Sequence, residues 1–180
     1  MNMKIIKKIG VGIIIVLFIL VIIGYFLPRK YEMDRSIIIN TPVEDVFYLV
    51  NNLKNWENWY PWQKGDPTLK VGYEAVIEGK GAFSKWTSLE YGEGSVLITE
   101  CIPNEFIQTD ISFQESKAIG SWNFIQKEKK QTKVVWKFTG DAEYNLIGRY
   151  FGLFIDSSLG PYFELGLQRL KKIAEGKETK

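Results

Sequence analysis

From Ile9 to Leu27 the chain runs for nineteen residues without a charge, and fifteen of them are Ile, Val, Leu or Phe. A helix of that length rises about 28 Å, close to the ~30 Å hydrocarbon core of a bilayer, with every backbone group bonded inside the helix. The stretch predicts one N-terminal transmembrane helix, about 9–27, and divides the chain into an anchor, 1–30, and a domain, 31–180. A cleaved secretory signal is the competing reading, since Lys4, Lys7 and Lys8 precede the apolar run. Signal cores are shorter, about 7 to 15 residues, and end at small residues. This one continues through Gly24-Tyr25-Phe26-Leu27-Pro28. Basic residues nearly balance across the span: three lysines and the amino terminus before it, Arg29, Lys30 and Arg35 after it. The slight excess before the span points to a domain on the outer face of the cell membrane.

The remaining 150 or so residues suffice for one core, and no Gly/Ser/Pro-rich linker divides them. The chain carries a net charge of +2, but five of its basic residues and none of its acids lie in the first 30, which leaves the domain with 18 basic and 21 acidic residues. An acidic balance argues against a nucleic-acid partner, which needs a basic face. There is no histidine, so imidazole-based triads, histidine zinc sites and imidazole proton shuttles are excluded. Cys101 stands alone and forms no intrachain disulfide. No Gly-rich phosphate loop is present: Gly79, Gly81, Gly92 and Gly94 read as turns at strand ends. No cofactor is expected.

Along the domain, Tyr31–Ile39 is a β-branched, alternating first strand. Thr41-Pro42-Val43-Glu44 then has the form of a helix capping box, followed by the apolar face Val43, Val46, Phe47 and Val50. A second short helix is expected over Leu53–Trp59. Six alternating runs follow: Val71–Ile77, Ala82–Tyr91, Ser95–Ile102, Phe106–Phe113, Ile119–Gln126 and Lys133–Thr139, with reversals at Gly92-Glu93-Gly94, Pro103-Asn104 and Lys129-Lys130-Gln131. The last segment changes period. Phe163, Gly166, Leu167, Leu170, Ile173 and Ala174 recur at helical spacing, and Gly160-Pro161 is expected to separate this helix from the apolar stretch Ile147–Ile155.

The runs Ser36–Phe47, Leu53–Trp59 and Pro61-Trp62 resemble the opening of SRPBCC, or START-like helix-grip, proteins. Tyr91–Ser95, Thr132–Trp136 and Phe163–Lys171 are similar to the mid-sheet and last-helix patterns of the same superfamily, in particular its polyketide cyclase/dehydrase and lipid-transport group. The resemblance implies an α+β helix-grip fold: a seven-stranded curved antiparallel sheet wrapped around a long C-terminal helix, here preceded by the transmembrane helix. It also implies a cavity between sheet and helix. The candidate lining is aromatic. Trp56, Trp59, Tyr60 and Trp62 fall where the family places its pocket entrance; Trp86, Trp122, Phe124, Trp136 and Phe138 alternate along strands; Phe163 and Leu167 lie on the last helix. Such a wall suits a flat or long apolar guest, although each ring taken singly also serves as ordinary core.

Polar candidates are few. Glu100 shares register with Val96, Ile98 and Ile102, and Asp110 with Phe106 and Gln108, so either carboxylate faces inward as an acid or base, or the alternate register leaves both in water. The solvated register is favoured. Arg149 and Asp156 are placed to pair or to orient a ligand carboxylate. Cys101 reads as a small buried apolar residue. Lys127-Glu128-Lys129-Lys130 reads as a solvated turn with cations available to lipid headgroups. Three readings follow: a membrane-tethered module that binds or transfers an apolar small molecule or lipid, a cyclase- or dehydratase-like enzyme using a buried carboxylate, and a protein-interaction or sensing module. The first uses both the span and the aromatic wall.

Overall fold

The computed structural model describes residues 3–63, 66–113 and 116–176. Residues 177–180, counted above in the domain, lie outside the described residues, as does the side chain of Lys4. The apolar run forms α1 (Met3–Phe26), long and apolar enough to cross a membrane and almost wholly uncovered by the rest of the chain. Then follow β1 (Lys30–Ile39), α2 (Val43–Asn51), α3 (Trp56–Trp59), β2 (Lys70–Tyr73), β3 (Phe83–Ser88), β4 (Gly92–Ile102), β5 (Phe106–Phe113), β6 (Ser116–Glu128), β7 (Gln131–Asp141), α4 (Leu146–Gly152) and α5 (Ile155–Ala174). Seven strands form one curved antiparallel sheet in the order β1-β7-β6-β5-β4-β3-β2. Five hairpin connections give the meander from β2 to β7, and β1 closes it by pairing with β7 from Lys30↔Asp141 to Ile39↔Thr132.

Alternation decides which face is buried. On β7, Thr132, Val134, Trp136, Phe138 and Gly140 point inward, and α5 lays Phe163, Gly166, Leu167 and Leu170 against them. Gly166 permits the approach: a methyl there would sit 3.0 Å from both the Pro61 ring and the Trp136 ring. Arg35, also on the inner face, clamps α5 at two points. Its Nη1 donates to Asp156 Oδ1 at 2.7 Å and its Nε to Glu164 Oε1 at 2.8 Å.

Three local expectations are corrected. The capping box does not form, because Thr41 is used elsewhere: its hydroxyl donates to the Ala174 carbonyl at 3.0 Å, and its own carbonyl accepts from Thr132 Oγ1. Thr41 thereby ties the end of α5 to the sheet. Pro161 does not break the last helix but lies within α5, and the separation falls at Leu153-Phe154. Proline removes only one amide donor there, and the Arg35 clamp and the buried stripe hold the helix on both sides of it. The β2 and β3 strands are shorter than the apolar runs, since residues 74–82 and 89–91 lie outside the strands. Leu53 N donates to the Ile77 carbonyl, and Gly79 and Gly81 take positive φ values of 71° and 92°. The exposed β6–β7 turn at 127–130 lies at the opposite end of the sheet from Lys30, ten β1 residues and roughly 33 Å away at ~3.3 Å per residue.

Candidate functional site

A β-bulge settles the fate of the carboxylates. Pairing between β4 and β5 slips between Ile98 and Glu100, so Val96 and Ile98 face inward while Cys101, not Glu100, takes the next inward position. Both sequence registers are therefore right, on opposite sides of the bulge. Across the ladder Ile107, Thr109 and Ile111 point in and Asp110 points out. Glu100 and Asp110 are solvated, and no inward carboxylate arises from this pair of strands. Cys101 is half-buried with its Sγ 3.2 Å from Asn51 Oδ1, and burial raises its thiol pKa.

The inner face does not close completely. A cavity of about 220 Å³ lies between β2–β5, β7, the segment around α3, and the first half of α5. Seven of the eleven aromatic and aliphatic residues singled out above border it: Trp56, Tyr60, Trp62, Trp86, Trp136, Phe138 and Phe163. The other four do not. Trp59 and Trp122 are 0 % exposed, and they, Phe124 and Leu167 form the packed floor beneath the hollow. Trp122 stacks on Trp136 at 4.2 Å between ring centres, Trp136 on Phe163 at 3.7 Å, and Trp59 meets both tryptophans edge-on. Trp136 thus belongs to wall and core together.

Two indole hydrogen bonds hold the α3 side of the cavity. Trp56 Nε1 donates to the Val50 carbonyl at 2.7 Å and Trp59 Nε1 to that of Leu49 at 3.0 Å, which lashes α3 to the end of α2. Trp62 then stacks on Tyr162 of α5, ring centres 5.5 Å apart and planes within 8°. The lining that sequence reading missed is mostly aliphatic: Leu53, Leu69, Val71, Val96, Ile111 and Leu159, with Tyr73, Ser84, Tyr91 and Phe113. Alternation on β2–β5 carried a signal for the strand residues among these.

Electrostatically the wall is neutral. No Asp, Glu, Lys or Arg borders the cavity among the described residues. Its hydroxyls are weak acids made weaker: burial pushes the Tyr60 phenol above the usual tyrosine range, and burial together with the Glu57 carboxylate does the same to Tyr73, whose hydroxyl donates to Glu57 Oε1 at 2.7 Å. Nor do three His, Cys, Asp or Glu side chains come together as a metal site among the described residues. The charged candidates Arg149 and Asp156 do not pair with each other. Asp156 is held by Arg35, which lowers its pKa, and Arg149 donates to backbone carbonyls of Tyr25, Leu27 and Glu143. Chemically, the arrangement can enclose an apolar group within an uncharged, almost wholly apolar wall.

The fold recurs widely. A Staphylococcus aureus protein of unknown function superposes with a TM-score of 0.64 at 13% identity, covering 82% of this chain and 94% of that one. Norcoclaurine synthase from Thalictrum flavum, solved with dopamine and hydroxybenzaldehyde, matches with a TM-score of 0.63 at 9% identity over 88% and 94%. The di-domain ARO/CYC StfQ of the steffimycin biosynthetic pathway gives 0.63 at 12% identity over 82% of this chain and 51% of that chain. In sequence, Protein SGT1 homolog A of Arabidopsis thaliana is 25% identical over 114 residues, 63% of this chain and 32% of that protein, so the match spans about a third of the relative's length. Residues 30–175 match the family described as polyketide cyclase / dehydrase and lipid transport, and a match over that much of its length means that the chain belongs to this family.

Proposed function

We propose that this protein is a membrane-tethered module that binds, and passes on, an apolar small molecule or the apolar part of a lipid. The observation that carries the reading is the uncharged, aromatic-walled cavity of about 220 Å³. An apolar cavity of about 150 Å³ already stays dry and takes up benzene, so this one has room for a fused pair of rings or a medium-length acyl segment. Family membership supports hydrophobic ligand binding. The apolar α1 supports a tether, which would keep the cavity beside the pool in which such molecules dissolve.

Four indoles border the hollow, so occupancy is readable directly. Full-length protein in lipid nanodiscs is titrated with a naphthyl fluorophore and, separately, with fatty acids of increasing length. Saturable tryptophan quenching, a rise in melting temperature and recovery of chemically unchanged ligand are expected. Absence of quenching and of any thermal shift with both ligand series would overturn the reading.

A further inference from the structure

Register places the cavity at one particular end of the sheet. Tyr31, where the chain leaves α1, pairs with Gly140; Gly140 pairs with Ala118, Ala118 with Ile111, Ile111 with Val96, Val96 with Ser84, and Ser84 with Tyr73. The last four line the cavity. The hollow therefore sits at the α1-proximal end of the domain. At this end α4 packs against α1 itself. Tyr150 donates from its hydroxyl to the Leu20 carbonyl at 2.6 Å, and its ring lies over Gly24, where a methyl would come within 2.9 Å. Arg149 donates to the Tyr25 carbonyl at 2.7 Å and the Leu27 carbonyl at 3.3 Å, satisfying acceptors that the end of a helix leaves open.

These contacts fix a depth. Leu20 is six residues before Phe26, the last residue of the apolar span, which is about 9 Å along a helix axis. Whatever touches the Leu20 carbonyl lies that far below the end of the span. Meanwhile α4 buries none of its own residues; Ile147 and Phe151, one turn apart, are 82 % and 48 % exposed, and Leu153 and Phe154 at the corner that follows are 55 % and 61 % exposed. A helix that lies in a membrane interface sinks its apolar face about 5–10 Å into the headgroup and acyl boundary. That depth, reached from the α1 contacts, matches.

We infer that α4 and its corner into α5 form a second membrane contact, with Ile147, Phe151, Leu153 and Phe154 seated in the leaflet next to the end of α1, so that the domain stands with its cavity end on the bilayer. The inference rests on the tethered reading above, since it needs α1 to span. It names the lipid leaflet as occupant because the exposed face is continuous with α1 and is set at the depth of lipid by Tyr150 and Arg149.

The test uses full-length protein in a Cys101→Ser background, reconstituted into phosphatidylcholine vesicles, with one nitroxide label at a time on Ile147→Cys, Phe151→Cys, Leu17→Cys or Tyr48→Cys. Power-saturation EPR compares relaxation by oxygen, which partitions into lipid, with relaxation by a water-soluble nickel chelate. Labels at 147 and 151 are expected to favour oxygen at least several-fold relative to the label at 48, which is exposed on α2, and the label at 17 to favour it most. If 17 favours oxygen while 147 and 151 behave like 48, the tether stands and this inference fails, leaving α4 to face water or a protein partner. If 17 itself behaves like 48, the tether is wrong and the inference falls with it.

Discussion

Val96→Phe distinguishes a true vacancy from a filled core. Val96 and Ile98 lie two residues apart on the same face of β4 and both are buried, yet Val96 borders the cavity and Ile98 does not. Phenylalanine introduces a benzene-sized ring, and a cavity of about 150 Å³ suffices for benzene, so a hollow of about 220 Å³ admits it. Extra burial then offsets residual strain, and the net change in stability stays within about 1 kcal/mol. Ile98→Phe has no space to enter and carries the ordinary overpacking cost of about 1–3 kcal/mol. In a domain of this size each kcal/mol moves the melting temperature by about 2–4 °C. Near-UV circular dichroism of the full chain in nanodiscs should therefore show Val96→Phe within about 4 °C of the parent and Ile98→Phe about 2–12 °C below it. Binding should respond in the opposite sense. Val96→Phe takes space from the guest and weakens naphthyl fluorophore binding at least ~10-fold, about 1.4 kcal/mol, whereas Ile98→Phe leaves affinity within ~3-fold. Equal melting losses at both positions, or an affinity untouched at Val96, would refute the reasoning.

The remaining outcomes are simpler to state. The Arg29 guanidinium donates two hydrogen bonds of 2.8 Å to Asp141 and holds its pKa down at about 2 in the fold, against roughly 3.9 in the unfolded chain. A lowered folded pKa means that the pair's contribution is complete above about pH 4 and disappears as the pH falls toward 2, so Asp141→Asn should flatten that part of a melting-temperature-against-pH curve; an unchanged slope counts against it. Gly160→Ala puts a methyl against Arg35 Nη2 and displaces the Asp156 end of the clamp, for a loss of about 1–3 kcal/mol read by thermal melting, whereas an unaltered midpoint means the guanidinium yields freely. Arg149→Leu releases the carbonyls of Tyr25 and Leu27, and trypsin should then cut at Arg29 and Lys30 several-fold faster; cleavage at the parental rate shows that Arg149 does not brace the joint.

Most of the sheet was legible because a strand buried on one face leaves alternation behind, and β5 begins and ends where alternation places it, at Phe106 and Phe113. The long helix was legible for the same reason at its own period. Three kinds of feature were not. The bulge after Ile98 changes which residues face inward halfway along β4, and one strand read alone carries no mark of where its partner slips. Thr41 has the sequence of a cap but is claimed by Ala174 and Thr132, more than ninety residues away, a competition that only the tertiary structure reveals. The cavity wall mixes the two problems. Trp59 and Trp136 are alike in sequence terms, yet one packs beneath the hollow and the other borders it, because their positions depend on how α3 and α5 seat on the sheet.

The choice between carrier and catalyst turns on protons. Acid–base chemistry needs a titrating group within hydrogen-bond reach of the bound molecule and poised near the working pH. The two carboxylates that sequence offered for this, Glu100 and Asp110, lie on the solvent side of the sheet. The cavity wall, among the described residues, carries no charged side chain, and the phenols of Tyr60 and Tyr73 are moved further from neutrality by burial. A phenol raised in this way stays protonated near neutral pH, and the Tyr73 proton is already given to Glu57. Glu57 is a carboxylate tied to the wall from outside it, and its Oε1 accepts the Tyr73 hydroxyl. A wall with these properties offers a guest shape and apolar area rather than charge. Under the proposed function, discrimination would therefore rest on the packing of Trp56, Trp62, Trp86 and Trp136 rather than on any single charged group.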